Sequence, residues 1–408
     1  MPLTINAERL WNALMTLARI GATEKGGVCR LALTDLDKQG RDLVVSWARE
    51  MGCSVRIDAI GNIFMRRAGR NALLPAVSTG SHIDTQPTGG KFDGNYGVLA
   101  GLEVIGVLND HNIETEHPIE VCVWTNEEGS RFVPVMMGSG VYAGAFTLEH
   151  ALAQRDTKGV SVGEALRAIG YAGDSAPQIP KCYFETHIEQ GPVLEDANVP
   201  IGIVTGALGQ RWYDVTFTGM EAHAGPTPMR LRKDALIPAA QLVQAVNAIA
   251  LSEQPNARGT VGFVDVFPNS RNVIPGRVKM SVDLRHADDA GLLRMDAALR
   301  AQAAEIAAKG GVQLEISQVV YFAPTSFTPR LVDVVHSAAE TLGYPSQKIV
   351  SGAGHDAVYV ANVAPAAMIF IPCKDGISHN EIEDALPAHI TMGANVLLHA
   401  MLAEAEQL

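Results

Sequence analysis

The chain has little of what several protein classes require. Charged residues make up 19% of the 408 residues, aromatic residues 6%, and 44 acidic side chains outnumber 32 basic ones. The resulting net charge of −12 argues against sequence-independent nucleic-acid binding, which needs a basic surface. No apolar run reaches membrane-spanning length, and the N-terminus has no charged-then-apolar signal region. We therefore expect a cytoplasmic protein that binds neither nucleic acid nor membrane.

Cysteine is also scarce. The five cysteines are odd in number and scattered, and no two of them form a C-x-x-C pair: Cys29, Cys53, Cys122, Cys182 and Cys373. This pattern argues against a disulfide scaffold and against a thiolate zinc site. We expect buried, reduced thiols.

Strand, helix and strand follow one another in the first third of the chain. An apolar segment at 75–80 leads to a helical pattern at about 97–110 and to a strongly apolar strand at 119–124. This order predicts a right-handed βαβ unit and a mostly parallel central sheet. In such sheets ligands bind beyond the carboxyl ends of the strands.

The pattern changes between about 211 and 320, where a strand, a helix at about 231–251, two strands at 259–266 and 272–284, a helix and a last strand succeed one another. This βαββαβ order predicts a compact α+β domain with a four-stranded antiparallel sheet. Helix and strand patterns resume afterwards, so the domain is expected to be an insertion. We predict an α/β catalytic domain formed by 1–210 and 326–408, interrupted by the inserted domain 211–325.

Five polar residues lie where predicted strands end: His82, Asp93, Glu128, His187 and His379. Taken singly, each histidine is more simply explained as a hydrogen-bonded structural residue, and Asp93 before Gly94 as a turn. Taken together, they predict two divalent ions that share Asp93, each with two further ligands. Nitrogen and oxygen ligands without thiolates suit zinc, manganese, cobalt or nickel.

Two carboxylates follow the strand at 119–124 side by side. Adjacent side chains that leave a strand diverge, so Glu128 is the predicted ligand and Glu127 the general base on the attacking water. A solvated acidic turn is the alternative reading, although a charged pair directly after so apolar a strand is unusual for a surface loop. Asp84 is expected to accept the second imidazole N–H of His82 and so fix its tautomer.

Eight short segments extend the pattern over nearly the whole chain: GSHIDTQPTGGKFDG, TNEEGSRF, HIEQGPVLE, AHAGPTPM, SRNVIPG, DLRH, GAGHDA and ISHNE. Together they resemble the dinuclear metallo-amidase branch of the aminoacylase and carboxypeptidase superfamily. That branch contains L-N-carbamoylases, β-ureidopropionases and allantoate amidohydrolases. Peptidase relatives usually have an acidic residue where this chain has His187, which favours the carbamoylase side.

The resemblance implies the five metal ligands named above, Glu127 as base, and roles for five further residues. Gln190 corresponds to a substrate-contacting position, and Gly354 offers its backbone to the substrate. His223 corresponds to an imidazole that the inserted lid and dimerisation domain of one subunit supplies to its partner's site, where it stabilises a developing oxyanion. Asn272 and Arg285 correspond to groups that hold the substrate's α-carboxylate. A homodimer is therefore expected; the role of the pair His355-Asp356 stays open.

The expected reaction is hydrolysis of the carbamoyl amide of an N-carbamoyl-L-amino acid to the amino acid, ammonia and carbon dioxide. The substrate carries a carboxylate and a ureido group. Allantoate or β-ureidopropionate would use the same site, and these motifs do not separate them. A dipeptidase or aminopeptidase is disfavoured by His187, and a catalytically silent amino-acid-binding protein by Glu127.

Overall fold

The computed structural model describes residues 2–406, which form two compact units. One unit runs to Thr205 and resumes at Phe327, and the other is Gly206–Ser326. The boundary expected after residue 210 falls inside a strand that begins at Gly209. No helix formed by residues 2–406 combines the length and apolarity needed to cross a bilayer.

The strands are, in chain order, β1 (Ser54–Ile57), β2 (Ile63–Arg67), β3 (Val77–His82), β4 (Ile119–Trp124), β5 (Cys182–Ile188), β6 (Ile201–Ala207), β7 (Gly209–Thr218), β8 (Ala222–His223), β9 (Ala257–Phe267), β10 (Val273–Ile274), β11 (Arg277–His286), β12 (Gln313–Phe322), β13 (Thr325–Ser326), β14 (Ser346–Ser351) and β15 (Ala366–Ile371). The helices are α1 (Ala7–Leu17), α2 (Asp35–Glu50), α3 (Asn95–Asp110), α4 (Met137–Tyr142), α5 (Leu148–Ala153), α6 (Val162–Ile169), α7 (Val193–Asp196), α8 (Leu236–Ser252), α9 (Asp289–Gly310), α10 (Pro329–Thr341), α11 (Asp356–Val360) and α12 (Pro387–Ala405).

The first unit is built on one mixed sheet with the order β1-β2-β4-β3-β5-β15-β6-β13, in which β14 also pairs with β6. The four central strands β4, β3, β5 and β15 are parallel. The flanking pairs β1–β2, β2–β4, β15–β6 and β13–β6 are antiparallel. The predicted mainly parallel sheet is confirmed, with antiparallel strands at its margins.

The central strands are parallel because their sequences allow burial on both faces. Every residue of β3, β4, β5 and β15 is buried, as near-continuous apolar strands in parallel sheets usually are. Helices α3 and α12 pack against this part of the sheet, and α3 is itself buried from Asn95 to Leu108. The strands therefore form a rigid core, and polar side chains collect where the strands end.

The second unit has a four-stranded antiparallel sheet with the order β12-β7-β11-β9. Helices α8 and α9 pack together and against this sheet, around buried residues such as Phe217, Leu242 and Leu299. The predicted βαββαβ order is confirmed.

Two element boundaries in the second unit differ from expectation. The strand expected over 272–284 is divided into β10 and β11 by Pro275 and Gly276, because proline has no N–H to donate to the ladder. The helix expected from Leu231 begins at Leu236, and Met229–Leu231 forms a 3-10 turn instead.

Candidate metal centre

The parallel strands bring the five predicted ligands to one edge of the sheet. His82 is the last residue of β3, and His187 lies near the end of β5. Glu128 follows β4 and His379 follows β15. The carboxyl ends of adjacent parallel strands meet at the same edge, so residues almost three hundred positions apart become neighbours.

One group of possible ligands consists of His82, Asp93 and His187, all buried, whose ligand atoms lie within 4.8 Å of one another. Nε2 of His187 is 3.1 Å from Oδ1 of Asp93, and Nε2 of His82 is 3.5 Å from the same oxygen. Gly94 has φ +66°, and a Cβ there would lie 2.4 Å from the His82 ring. Glycine at this position therefore permits both the turn and the approach of the imidazole.

A second group consists of Asp93, Glu128 and His379, whose ligand atoms are also within 4.8 Å of one another. Nε2 of His379 is 3.3 Å from Oδ2 of Asp93 and 3.2 Å from Oε2 of Glu128. The His379 side chain is half exposed, whereas the two carboxylates are buried. Asp93 belongs to both groups, with one oxygen facing each.

Backbone carbonyls fix the tautomers of the two buried imidazoles. Nδ1 of His82 lies 2.9 Å from the carbonyl oxygen of Asp84, and Nδ1 of His187 lies 2.8 Å from that of Ile188. A carbonyl only accepts, so each Nδ1 carries the hydrogen and each Nε2 keeps its lone pair. Nε2 of His187 accepts from the N–H of Gly94 at 3.1 Å, and both Nε2 atoms lie beside Oδ1 of Asp93.

Asp84 acts through different atoms from those expected. Its carboxylate is 3.9 Å from Nδ1 of His82, too far for the predicted hydrogen bond, and its backbone carbonyl takes that place. The carboxylate oxygens instead accept from the backbone N–H groups of Glu127 and Glu128, each at 3.3 Å. Asp84 therefore connects the histidine loop to the loop that carries the two glutamates.

Glu127 lies beside the first group without belonging to it. Its Oε2 is 3.5 Å from Nε2 of His82. Burial raises the pKa of Glu127 well above its ordinary value, and the pKa of Glu128 to about 7. A hydrogen bond to Asp93 raises the pKa of His379 to about 9. Divalent cations would stabilise the charged forms of the two buried glutamates, whose pKa values burial raises. The donor set therefore fits metal ions.

Amide side chains hold the carboxylates in place. Nε2 of Gln86 donates to Oε2 of Glu128 at 2.7 Å, and Nε2 of Gln190 donates to Oδ2 of Asp93 at 2.8 Å. Gln190 and His379 both have left-handed backbones, with φ +58° and +54°. Such conformations are costly for non-glycine residues and concentrate at functional sites. Gln190, expected only as a substrate contact, thus also contacts the centre directly.

Two further carboxylates are buried behind the imidazoles. Glu185 accepts from Ser81 at 2.7 Å and from the N–H of Ala357 at 2.8 Å, and Asp356 accepts from Ser139. The neighbouring His355 ring packs edge-on against His187, with centroids 4.5 Å apart. The pair His355-Asp356, whose role was open, therefore supports the buried side of the centre.

Gly354 also lies in the first unit, next to the side chain of Met136. A Cβ there would come within 2.9 Å of the Met136 side chain. The N–H of Met136 in turn donates to the carbonyl of Glu127 at 2.7 Å. Gly354 is therefore connected to the glutamate loop through Met136.

His223, Asn272 and Arg285 belong to the second unit. His223 pairs with Val273 across the β8–β10 ribbon, and the N–H of Ala224 donates to the carbonyl of Asn272 at 2.8 Å. Nδ1 of His223 accepts from the N–H of Gly225 at 3.1 Å. The exposed His223 ring, when neutral, therefore presents its other nitrogen as an N–H donor.

The structure separates Arg285 from the other two. The β8–β10 ribbon continues the β7–β11 ladder beyond Arg277, since the N–H of Gly219 donates to the carbonyl of Gly276 at 2.7 Å. Arg285 lies towards the opposite end of β11, roughly 26 Å from Arg277 at the usual strand rise. Its guanidinium forms an ion pair with Asp283 at 2.9 Å. Within one copy of this unit, Asn272 and Arg285 are therefore too far apart to hold the same small carboxylate.

The fold and the clustered ligands are those of a metal-dependent hydrolase. The comparison with known families identifies the family to which the chain belongs. Residues 79–403 match the model of peptidase family M20/M25/M40. The chain belongs to this family, whose members are metal-dependent hydrolases.

Close relatives come from the amidase branch. The chain is 49% identical to an N-carbamoyl-L-amino-acid amidohydrolase of Rhizobium meliloti over 98% of this chain and 97% of the relative. It is 40% identical to one of Geobacillus stearothermophilus over 98% and 100%. A solved amidase of the hydantoinase/carbamoylase family from Burkholderia multivorans shares 61% identity and a TM-score of 0.98, covering 99% of both chains. The resemblance inferred from the sequence is confirmed.

More distant relatives carry other names. An allantoate amidohydrolase of Bacillus subtilis is 35% identical over 93% of each chain. A ureidoglycolate hydrolase of Arabidopsis thaliana is 35% identical over 97% of this chain and 86% of the relative.

Proposed function

We propose that the protein hydrolyses the carbamoyl amide of N-carbamoyl-L-amino acids. One observation carries this proposal: the two oxygens of Asp93 face two separate groups of ligands, with the carboxylate of Glu127 beside them. Such a centre is suited to hydrolysis of an inert amide. The higher identity to carbamoyl amidohydrolases than to the allantoate and ureidoglycolate enzymes supports the ureido amino acid as substrate.

Two divalent ions per subunit, zinc, manganese, cobalt or nickel, would be held through Asp93. His82 and His187 would complete one site, and Glu128 and His379 the other. When bound, such ions polarise a carbonyl and make water acidic enough to react at neutral pH.

Glu127 takes the proton of the attacking water and delivers it to the departing nitrogen. Burial raises the pKa of this carboxylate, which makes it a stronger base than an exposed glutamate. The products are the amino acid and carbamic acid, which breaks down to ammonia and carbon dioxide. The guanidinium of Arg285 binds the substrate carboxylate, and Gln190 and Gly354 contact the substrate.

We infer that His223 and Asn272 act together and reach the site from a second copy of the chain. They lie side by side at the end of the ladder that is remote from Arg285, so one copy cannot bring all three to one small substrate. The N–H of His223 would stabilise the developing oxyanion. The protein is therefore expected to work as a homodimer.

Strand β9 is the proposed contact between copies. It is an edge strand of the second unit, and Phe263, Val264 and Phe267 on it are about half exposed. An exposed apolar edge strand invites pairing with another strand. A two-fold related β9 supplies a matching edge, since a two-fold interface uses the same patch on both copies.

We place the enzyme in the cytoplasm. Its five cysteines are unpaired and four of them are buried, as is usual in a reducing compartment.

Ammonia release tests the substrate assignment. Metal-free protein is reconstituted separately with zinc, manganese, cobalt and nickel. It is then given a panel of N-carbamoyl-L-amino acids, β-ureidopropionate, allantoate, ureidoglycolate and, for amino-group release, a dipeptide. We expect the highest kcat/KM with an N-carbamoyl-L-amino acid. A clear preference for another compound, or no turnover with any metal, would overturn the proposal.

A further inference from the structure

A buried carboxylate outside the predicted set organises the centre. Glu383 is 1% exposed. Its Oε1 accepts from the backbone N–H groups of Phe92 at 2.9 Å and Asp93 at 3.1 Å. Its Oε2 accepts from the hydroxyl of Ser378 at 2.9 Å. Glu383 thus ties the loop that carries Asp93 to the loop that carries His379.

Ser378 extends this connection to the ligand oxygen. Its Oγ lies 3.0 Å from Oδ2 of Asp93 and 2.9 Å from Oε2 of Glu383, and its single hydroxyl hydrogen serves one of these carboxylates at a time. The opposite loop is shaped around the same carboxylate, because a Cβ on Gly90 would lie 2.1 Å from Oε1 of Glu383. Both the backbone and the side chain of Asp93 are therefore held by one acidic residue.

Asp93 is the position where such control matters most. It is the residue common to both ligand groups, so a small rotation of its carboxylate changes the geometry of both. Removing Glu383 would leave two buried N–H groups without their acceptor, and the loop would move to satisfy them. Ion binding would therefore weaken, although Glu383 belongs to neither group of ligands.

We propose that Glu383, acting through Ser378 and the Phe92 and Asp93 amides, is a positioning residue that sets the affinity of the centre for its two ions. The inference rests on the proposed function, because it takes the ions to be held through Asp93. Supporting contacts of this kind typically change metal affinity 10–100-fold.

The test measures stepwise Mn²⁺ and Zn²⁺ affinities of the metal-free protein against a competing chelator. Glu383→Ala removes all three accepted bonds and should weaken both ions 10–100-fold. Glu383→Gln should stay within about threefold, because its carbonyl accepts from both amides and its NH₂ donates to Ser378, leaving the hydroxyl free for Asp93. Ser378→Ala removes the hydroxyl between Oδ2 of Asp93 and Oε2 of Glu383 but keeps the two bonds from the Phe92 and Asp93 amides, so it should weaken one ion more than the other.

Glu381→Gln is the matched control. Glu381 lies in the same loop, but its carboxylate faces Lys25 at 3.6 Å, so both affinities should match those of wild type. The proposal is overturned if Glu383→Ala binds as tightly as this control, or if Glu383→Gln falls as far as Glu383→Ala. If Glu383→Ala does not fold, Ser378→Ala decides: two unchanged affinities reject the proposal. A wild type that binds no ions would instead refute the proposed function.

Discussion

Glu127 and Glu128 are consecutive in the chain, yet their carboxylates face different imidazoles. Oε2 of Glu127 is 3.5 Å from His82, and Oε2 of Glu128 is 3.2 Å from His379. The carboxylate of Asp84 binds the backbone N–H of both glutamates and so fixes their divergence. One short loop thereby presents one carboxylate to His82 and another to His379.

Substitution of each glutamate should separate these roles. Glu127→Gln should lower kcat by about 10²–10⁴-fold, because an amide takes no proton from water, and should leave the metal content unchanged. Glu128→Gln should lower the metal content, because a ligand is lost. Metal per chain and kcat, measured on the same samples, check both outcomes. Full activity of Glu127→Gln would contradict its role as base.

Gly94 should tolerate no side chain. Gly94→Ala places a methyl group 2.4 Å from the His82 ring at φ +66°, so we expect loss of ion binding together with a lower free energy of unfolding. Gly52→Ala is the control, because Gly52 has φ +83° with no atom within 4 Å. Its free energy of unfolding should fall only by the cost of a left-handed backbone for alanine, about 1–2 kcal/mol. Urea unfolding and metal titration distinguish the two; equal effects would contradict the steric argument.

Mixed dimers test which residues come from the same copy. Two variants are co-expressed with different tags, and the heterodimer is purified. A dimer of His223→Ala with Arg285→Ala should recover about half of the wild-type activity, because one of its two sites contains both intact residues. A dimer of His223→Ala with Asn272→Ala should stay inactive, because each site then lacks one of the two. Similar activity in the His223→Ala/Asn272→Ala dimer as well would contradict this grouping and show that Asn272 acts from the same copy as Arg285.

Charge on β9 should weaken the dimer. Phe263→Lys puts a cation on the exposed apolar edge, and sedimentation velocity should show a shift towards monomer together with lower activity. Leu73→Lys is the control, since Leu73 is 96% exposed in the other unit, and it should sediment like wild type. A dimeric Phe263→Lys variant would place the interface elsewhere.

Asp58 should make stability depend on pH. Burial raises the pKa of this carboxyl to about 6, from its ordinary value of 3.8. The folded state favours the protonated form of Asp58. This contribution to stability is fully present below pH 3.8 and is lost as the pH rises through about 6. Between pH 5 and pH 8, wild type should lose about 1.5 kcal/mol relative to Asp58→Asn. Denaturant unfolding of metal-free protein checks this, with the exposed Asp174→Asn as control; parallel pH profiles would contradict it.

The sequence allowed much of the fold to be predicted, because its signals are local. The apolar strands β3, β4 and β15 and the polar residues after them are visible in short segments, and parallel order brings those residues to one edge. The clustering of the five predicted ligands at that edge was predictable for the same reason. The division between β10 and β11 was not recognised, although Pro275 provides a local signal for it.

The supporting residues were not predictable, because they depend on contacts between distant loops. Glu383 resembles an ordinary loop carboxylate and becomes important only because the 89–93 segment folds around it. The sequence predicts that Asp84 contacts His82 through its carboxylate, whereas its backbone carbonyl makes the contact. The path of the backbone decides which of the two groups reaches the imidazole. The separation of Asn272 from Arg285 follows from strand register, which residue types alone do not reveal.

The position of β15 between β5 and β6 in the sheet has a consequence for biosynthesis. A chain emerging from the ribosome exposes β5 and β6 long before β15 (Ala366–Ile371) is translated. Neither strand can yet pair with β15. Such a nascent chain carries unpaired strand edges that need protection from aggregation. His379 is translated later still, so the predicted ligand group of Asp93, Glu128 and His379 is complete only when synthesis is nearly finished.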